Sequence, residues 1–207
     1  TLHNTLFPYT TLFRSLFNRF TPLEDAALRS RIENLLERCG FRSSGVYVMD
    51  GSRRSSHGNA YFTGLGRNKR IVFFDTLVES LAPEQLEAVL AHELGHFRLR
   101  HVPKRLAASG ALTLAALALL GWLVDQPWFY TGLGMDTPSP WAALALFMLI
   151  SPVFGFVLTP LFALVSRRHE YQADDFAAER TRAADLVGAL VTLYQQNAAS
   201  LTPDPLY

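Results

Sequence analysis

The stretch AVLAHELGHFRLRHV, Ala88 to Val102, contains His92-Glu93-Leu94-Gly95-His96. Four residues make slightly more than one helical turn. On a helix His92 and His96 therefore leave one face together, with Glu93 a little further round. That spacing offers two imidazoles to a metal ion and a carboxylate to the water beside it. Two histidines cannot hold a catalytic metal alone, because hydrolytic zinc sites use three protein ligands and keep one position open.

The third ligand has to come from elsewhere. An extended motif with a third histidine on the same segment would need glycine at position 99 and histidine at position 102. Those positions are Leu99 and Val102, and His101 is one residue off. The later stretch SRRHEYQADDFAAE, from Ser166, offers a glutamate instead. Glu170 and Asp174 are four apart and share a helix face. Glu170 can complete the metal site. Asp174 can accept a hydrogen bond from a ligand histidine and fix its tautomer. His169, adjacent but on another face, is the rival ligand, and a solvated charged face is the plainer alternative. A His92, His96, Glu170 site suits one zinc ion per chain, whose bound water would have a pKa near 7 (roughly,). Glu93 would then be the catalytic general base, passing the proton on to the leaving amine. The expected chemistry is peptide-bond hydrolysis.

These residues must be positioned by their surroundings. From Pro83 an amphipathic helix is expected to carry the histidines, with Leu86, Val89, Leu90, Leu94 and Phe97 on its buried side. An earlier helix is expected to start at Thr21-Pro22-Leu23-Glu24, with Thr21 as cap, and to run to about Cys39 before Gly40 stops it. GVYVMD (Gly45 to Asp50), AYFTGLG and RIVFFD (Arg70 to Asp75) read as strands, with a turn at Arg67 to Lys69. GSRRSSHGN (Gly51 to Asn59) reads as a polar loop. An edge strand beside such a helix could pair with extended substrate, which makes Asn59, Ala60 and Tyr61 candidate substrate-binding residues.

Between the two halves of the site lie two apolar runs without a formal charge, Leu106 to Val124 and Trp141 to Val165. Nineteen helical residues span about 28 Å, close to the thickness of a bilayer's hydrocarbon core. A membrane hairpin is expected, with Pro152 and Pro160 kinking its second helix. Arg98, Arg100, Lys104 and Arg105 precede the first run, and Arg167 and Arg168 follow the second. The connection from Asp125 to Pro140 has neither Lys nor Arg but holds Trp128 and Tyr130. Positive charge stays inside, so both outer flanks and the metal site should face the cytoplasm.

Composition fits this picture. The chain has 207 residues, 49% hydrophobic and only 18% charged, with a net charge of +1. No global field points to nucleic acid, and two arginines in a turn are weak support for it. A single cysteine, Cys39, rules out an internal disulfide. Arginine far outnumbers lysine (17 against 2), which suggests a GC-rich bacterial genome and hence the bacterial inner membrane. The segment LFPYTTLFRS near the start looks like translated sequencing adapter, and SLTPDPLY ends without a cap, so a fragment is expected. The expected division is a scar at 1–15, the first part of the catalytic domain at 16–104, a transmembrane hairpin at 105–166, and a truncated second part with the ExxxD helix at 167–207.

The segments LFNRFTPLEDAALRSRIENLL, VMDGSRRSSHGNAYFTGLG, KRIVFFDTL, LAHELGHFRLRHV and SRRHEYQADDFA, in this order, resemble the integral-membrane zinc metalloproteases of the CAAX prenyl protease type. The resemblance covers nearly everything from Leu16 to Tyr207. It implies a mainly α fold with a small β-sheet, a zincin-like catalytic domain of the gluzincin kind, interrupted by a two-helix transmembrane hairpin. It implies zinc on His92, His96 and Glu170, catalysis by Glu93, and Asp174 behind the ligands. The implied partners are the lipid bilayer and a peptide or protein substrate, prenylated or membrane-associated. Members of that type carry further spans before the FNRFTPL region and further active-site residues after the ExxxD helix. Two alternatives stand beside it: a heat-shock-type membrane quality-control zinc protease, and a non-catalytic membrane scaffold that keeps its zinc. Glu93 argues against the scaffold, since a structural zinc site needs no base.

Overall fold

The structure is a computed structural model that describes residues 20–41, 43–50, 60–63 and 69–196. Among these the chain is mainly helical with one four-stranded mixed sheet. It divides into two compact units, 1–99 with 171–207 and 100–170.

The first unit is built on the sheet. Its strands are β1 (Phe20–Pro22), β2 (Ser43–Met49), β3 (Ala60–Thr63) and β4 (Lys69–Phe74), in the order β1-β2-β4-β3. β2 and β4 run parallel, pairing Val46 with Ile71 and Met49 with Phe74. β1 and β3 are antiparallel to their neighbours. In central β4, four successive residues, Ile71 to Phe74, are buried. A strand covered on both faces reads as a continuous apolar run rather than an alternating one.

Three helices of this unit close over the sheet. Helix α1 (Ala26–Arg38) buries Leu28, Ile32, Leu35 and Leu36. It starts later than the sequence suggests. Thr21 lies in β1, and the cap is Asp25, whose Oδ1 accepts from the N–H groups of Ala27 (2.9 Å) and Leu28 (3.0 Å). Both Thr-Pro and Asp can open a helix, and pairing of Phe20–Pro22 with β2 takes the first of them into the sheet. Short α2 (Asp75–Ser80) follows β4 directly. Helix α3 (Pro83–Arg98) starts with Pro83 in its first turn, and the Gln85 side chain accepts from the Ala82 N–H at 3.0 Å. Its buried stripe is Leu86, Val89, Leu90 and Leu94. Phe97 is not part of it: it is 42% exposed and sits edge-on to Phe41.

The second unit contains α4 (His101–Leu123), α5 (Pro127–Thr131) and most of α6, which runs unbroken from Pro140 to Ala178. The second apolar run and the ExxxD segment are thus one helix. Pro152 and Pro160 lie inside it without ending it. Leu123, Phe129, Tyr130, Ala142 and Ala143 form a small core where α4, α5 and α6 meet, and the Tyr130 hydroxyl donates to the Val124 carbonyl at 2.7 Å. Beyond that cluster the two long helices present their apolar side chains outward, among them Leu106, Leu114, Trp141, Phe156 and Val157. Both are long and apolar enough to cross a membrane. The final turns of α6, from Tyr171, belong to the first unit, as does α7 (Ala183–Gln196). There Phe176, Ala177, Leu186, Ala189 and Leu193 join the core under α3.

Candidate metal centre

His92, Glu93 and His96 lie on α3 at the edge of its buried stripe, each partly exposed. The stripe fixes the rotation of the helix about its axis. With Leu90 and Leu94 buried at 0% and 1% exposure, the two histidines must point along its flank. Their Nε2 atoms are 3.1 Å apart. The Nδ1 of His92 is 2.8 Å from Oδ1 of Asp174 on the last turns of α6. A carboxylate only accepts, so the shared proton sits on Nδ1 and the Nε2 of His92 carries a lone pair. That lone pair points at His96.

Glu170 is the last residue of the second unit and lies one turn before Asp174 on the same unbroken helix. Ligand atoms of His92, His96 and Glu170 all lie within 4.8 Å of one another. The donor set fits a small divalent cation. Zinc bonds of roughly 2.0–2.1 Å in a tetrahedron would separate two nitrogens by about 3.4 Å, and 3.1 Å is close to that. Two nitrogens and one carboxylate oxygen are also the donors of an open hydrolytic zinc site.

The close approach of α3 and α6 depends on a residue that spacing does not single out. A Cβ added to Gly95 would stand 3.1 Å from Ala173 Cα and 3.1 Å from Phe176 Cβ. Ala173 is itself fully buried. Two small residues facing each other let the backbones come near enough for Asp174 to reach His92. A glycine inside an otherwise good helix former was the available signal, because such a glycine usually has a packing reason.

Other candidate residues lie as follows. The His169 ring stacks on that of His101, with centroids 4.2 Å apart and planes 11° apart. Ala60 and Tyr61 are in β3, an edge of the described sheet, opposite Phe73 and Val72 of β4. Asn59 lies outside the described residues, as does the Gly51–Asn59 loop.

Cys39, at the end of α1, is buried. Burial pushes its thiol above the usual range, and the nearby Arg180 and Arg38 guanidiniums only partly oppose this. It is an inert packed thiol, well suited to its place in the core.

The chain is similar to known proteins in both sequence and fold. The family model described as Peptidase family M48 matches residues 22–205. CAAX prenyl protease 1 of Saccharomyces cerevisiae is 38% identical over 213 residues, covering 93% of this chain and 46% of the yeast protein. The CAAX prenyl protease 1 homolog of Arabidopsis thaliana is 39% identical, covering 96% of this chain and 47% of the plant protein. The crystal structure of S. mikatae Ste24p superposes with a TM-score of 0.79 at 37% identity, covering 96% of this chain and 50% of that one. The chain thus spans about half the length of these relatives.

Proposed function

This chain belongs to peptidase family M48, and we propose that it carries the metal-binding and water-activating part of a membrane-embedded zinc endopeptidase of the CAAX prenyl protease type. The observation that carries the reading is the convergence of the His92 and His96 Nε2 atoms beside Glu170, with Asp174 hydrogen-bonded behind His92. The domain is zincin-like, of the gluzincin kind, with one zinc ion per chain.

His92, His96 and Glu170 hold the ion. Zinc in such a site supplies a Lewis acid that acidifies water and polarises a peptide carbonyl. Asp174 accepts the Nδ1 proton of His92, which keeps the Nε2 lone pair available and makes it a better donor. Glu93, next to His92 and partly buried, takes a proton from the attacking water on its carboxylate and returns it to the leaving amine. The edge strand β3, with Ala60 and Tyr61 at its start, is suited to hold an extended peptide by main-chain pairing, and Asn59, the residue before it in sequence, is assigned to the same role.

The domains follow the same reading: a catalytic domain in two parts, 16–104 and 167–207, interrupted by a transmembrane hairpin at 105–166. Arg100, Lys104 and Arg105 lie at one end of that hairpin and Arg167 and Arg168 at the other, while its connection holds neither Lys nor Arg. By the positive-inside rule this distribution supports a reading with both ends, and the catalytic residues, on the cytoplasmic side of a bacterial inner membrane. The substrate is a prenylated or membrane-associated protein, consistent with the names of the relatives.

The test uses the full-length protein in detergent with a farnesylated peptide and its unfarnesylated twin. Zinc-dependent cleavage that favours the farnesylated peptide is expected. Equal turnover of both would remove the CAAX assignment, and zinc binding without cleavage of either would remove the peptidase.

A further inference from the structure

We propose that His169, held by the ring of His101, is a positioning residue that sets the Glu170 carboxylate for metal binding. This rests on the reading of Glu170 as a zinc ligand.

The two rings are nearly parallel, 11° apart in plane and 4.2 Å between centroids, and His101 is only 2% exposed. Each ring stands where its helix needs fixing. His101 opens α4 immediately after Arg100, which has a φ of 55° and is the one non-glycine residue with positive φ among the described residues. A left-handed arginine is held only where its surroundings require it. His101 follows His96 by just five residues. On α6, His169 immediately precedes Glu170.

The pattern along α6 shows why this matters. His169, Ala173 and Phe176 stand at i, i+4 and i+7 and form one inward stripe, with Ala173 at 0% and Phe176 at 8% exposure. Glu170 and Asp174 lie one step round from that stripe. On the C-terminal side of Glu170, the helix is fixed by Ala173 against Gly95 and by Asp174 against His92. On its N-terminal side the stack fixes it, at the point where the apolar run gives way to SRRHEYQ. Glu170 itself is exposed and has three rotatable side-chain bonds, so its carboxylate is only as well placed as the backbone beneath it.

A parallel stack is a demand on ring shape. Another flat ring should serve at position 169, whereas alanine should not. This also separates positioning from direct ligation, the rival role for His169, since phenylalanine cannot bind zinc.

The experiment compares His169→Phe and His169→Ala in the full-length protein. It reads zinc affinity by chelator competition, the visible spectrum of the cobalt-substituted protein, and kcat and KM separately. His169→Phe should keep zinc affinity within about threefold and leave the cobalt bands in place, whereas His169→Ala should weaken zinc roughly tenfold or more, as loss of support behind a ligand does. In His169→Ala the cobalt bands should change and kcat should fall while KM stays close to the wild-type value. Wild-type zinc affinity in His169→Ala, or equal loss in both variants, would overturn the proposal. The pair His101→Phe and His101→Ala repeats the comparison from the other ring if either first variant fails to fold. A wild-type protein that binds no zinc would instead remove the functional reading on which the inference rests.

Discussion

Gly95 and Ala173 face each other so closely that a Cβ on Gly95 would lie 3.1 Å from the Ala173 Cα and 3.2 Å from its carbonyl oxygen. The neighbour is backbone, not the end of a flexible side chain, so α6 itself would have to move. In an exposed helix Gly→Ala gains up to about 1 kcal/mol. Here overpacking should cost about 1–3 kcal/mol. Gly95→Ala is therefore expected to lower the melting temperature and weaken zinc binding, and Gly95→Val to do both more severely. Thermal melts with and without zinc check this. A higher melting temperature for Gly95→Ala would show that the two helices are not locked together at this point.

Asp174 is expected to act through His92 rather than through the fold. Its side chain is 43% exposed, and its hydrogen bond to His92 Nδ1 is the contact that matters. Asp174→Ala should weaken zinc binding by about 10–100-fold with little change in the melting temperature of the zinc-free protein. Asp174→Asn, which can still accept the Nδ1 proton, should lose less. Chelator competition measures both. Unchanged affinity in Asp174→Ala would take Asp174 out of the site.

Cys39 predicts a pH dependence of stability. Burial raises its thiol pKa in the folded state above the unfolded value. Its contribution is therefore fully present below the unfolded thiol pKa and is lost as pH rises through the folded one. Wild type should lose stability relative to Cys39→Ala between neutral pH and about pH 10. Denaturant titrations of both proteins across that range test this, and parallel curves would contradict it. Alkylation of the native thiol at pH 8 should also be much slower than that of an unfolded peptide.

Much of this was legible in the residues, for identifiable reasons. The α3 helix from Pro83 announced itself through a proline start and a strong apolar period, and the two apolar runs through the absence of charge. The Glu170 and Asp174 spacing gave a shared face because 3.6 residues per turn leaves little choice. What stayed hidden depends on contacts between distant segments. Thr21 looked like a cap because nothing local says that Phe20–Pro22 pairs with Tyr47–Met49. The strand order, with β2 parallel to β4, is likewise a matter of long-range pairing. The continuity of α6 was masked by the abrupt change from apolar to charged residues at Ser166, which alters the helix's surroundings and not its backbone. Phe97 has the right period for burial but stays 42% exposed, edge-on to Phe41. The Gly95 contact and the His101–His169 stack could not be read from spacing, since each needs the partner helix in place.

The central claim is that Glu93 moves the proton while His92, His96 and Glu170 hold the metal. Glu93→Gln in the full-length protein separates these roles most directly. Zinc content and peptide cleavage are measured on the same preparation. The account predicts one zinc per chain, as in wild type, with cleavage reduced by at least about 100-fold. Cleavage at the wild-type rate by zinc-loaded Glu93→Gln would contradict it.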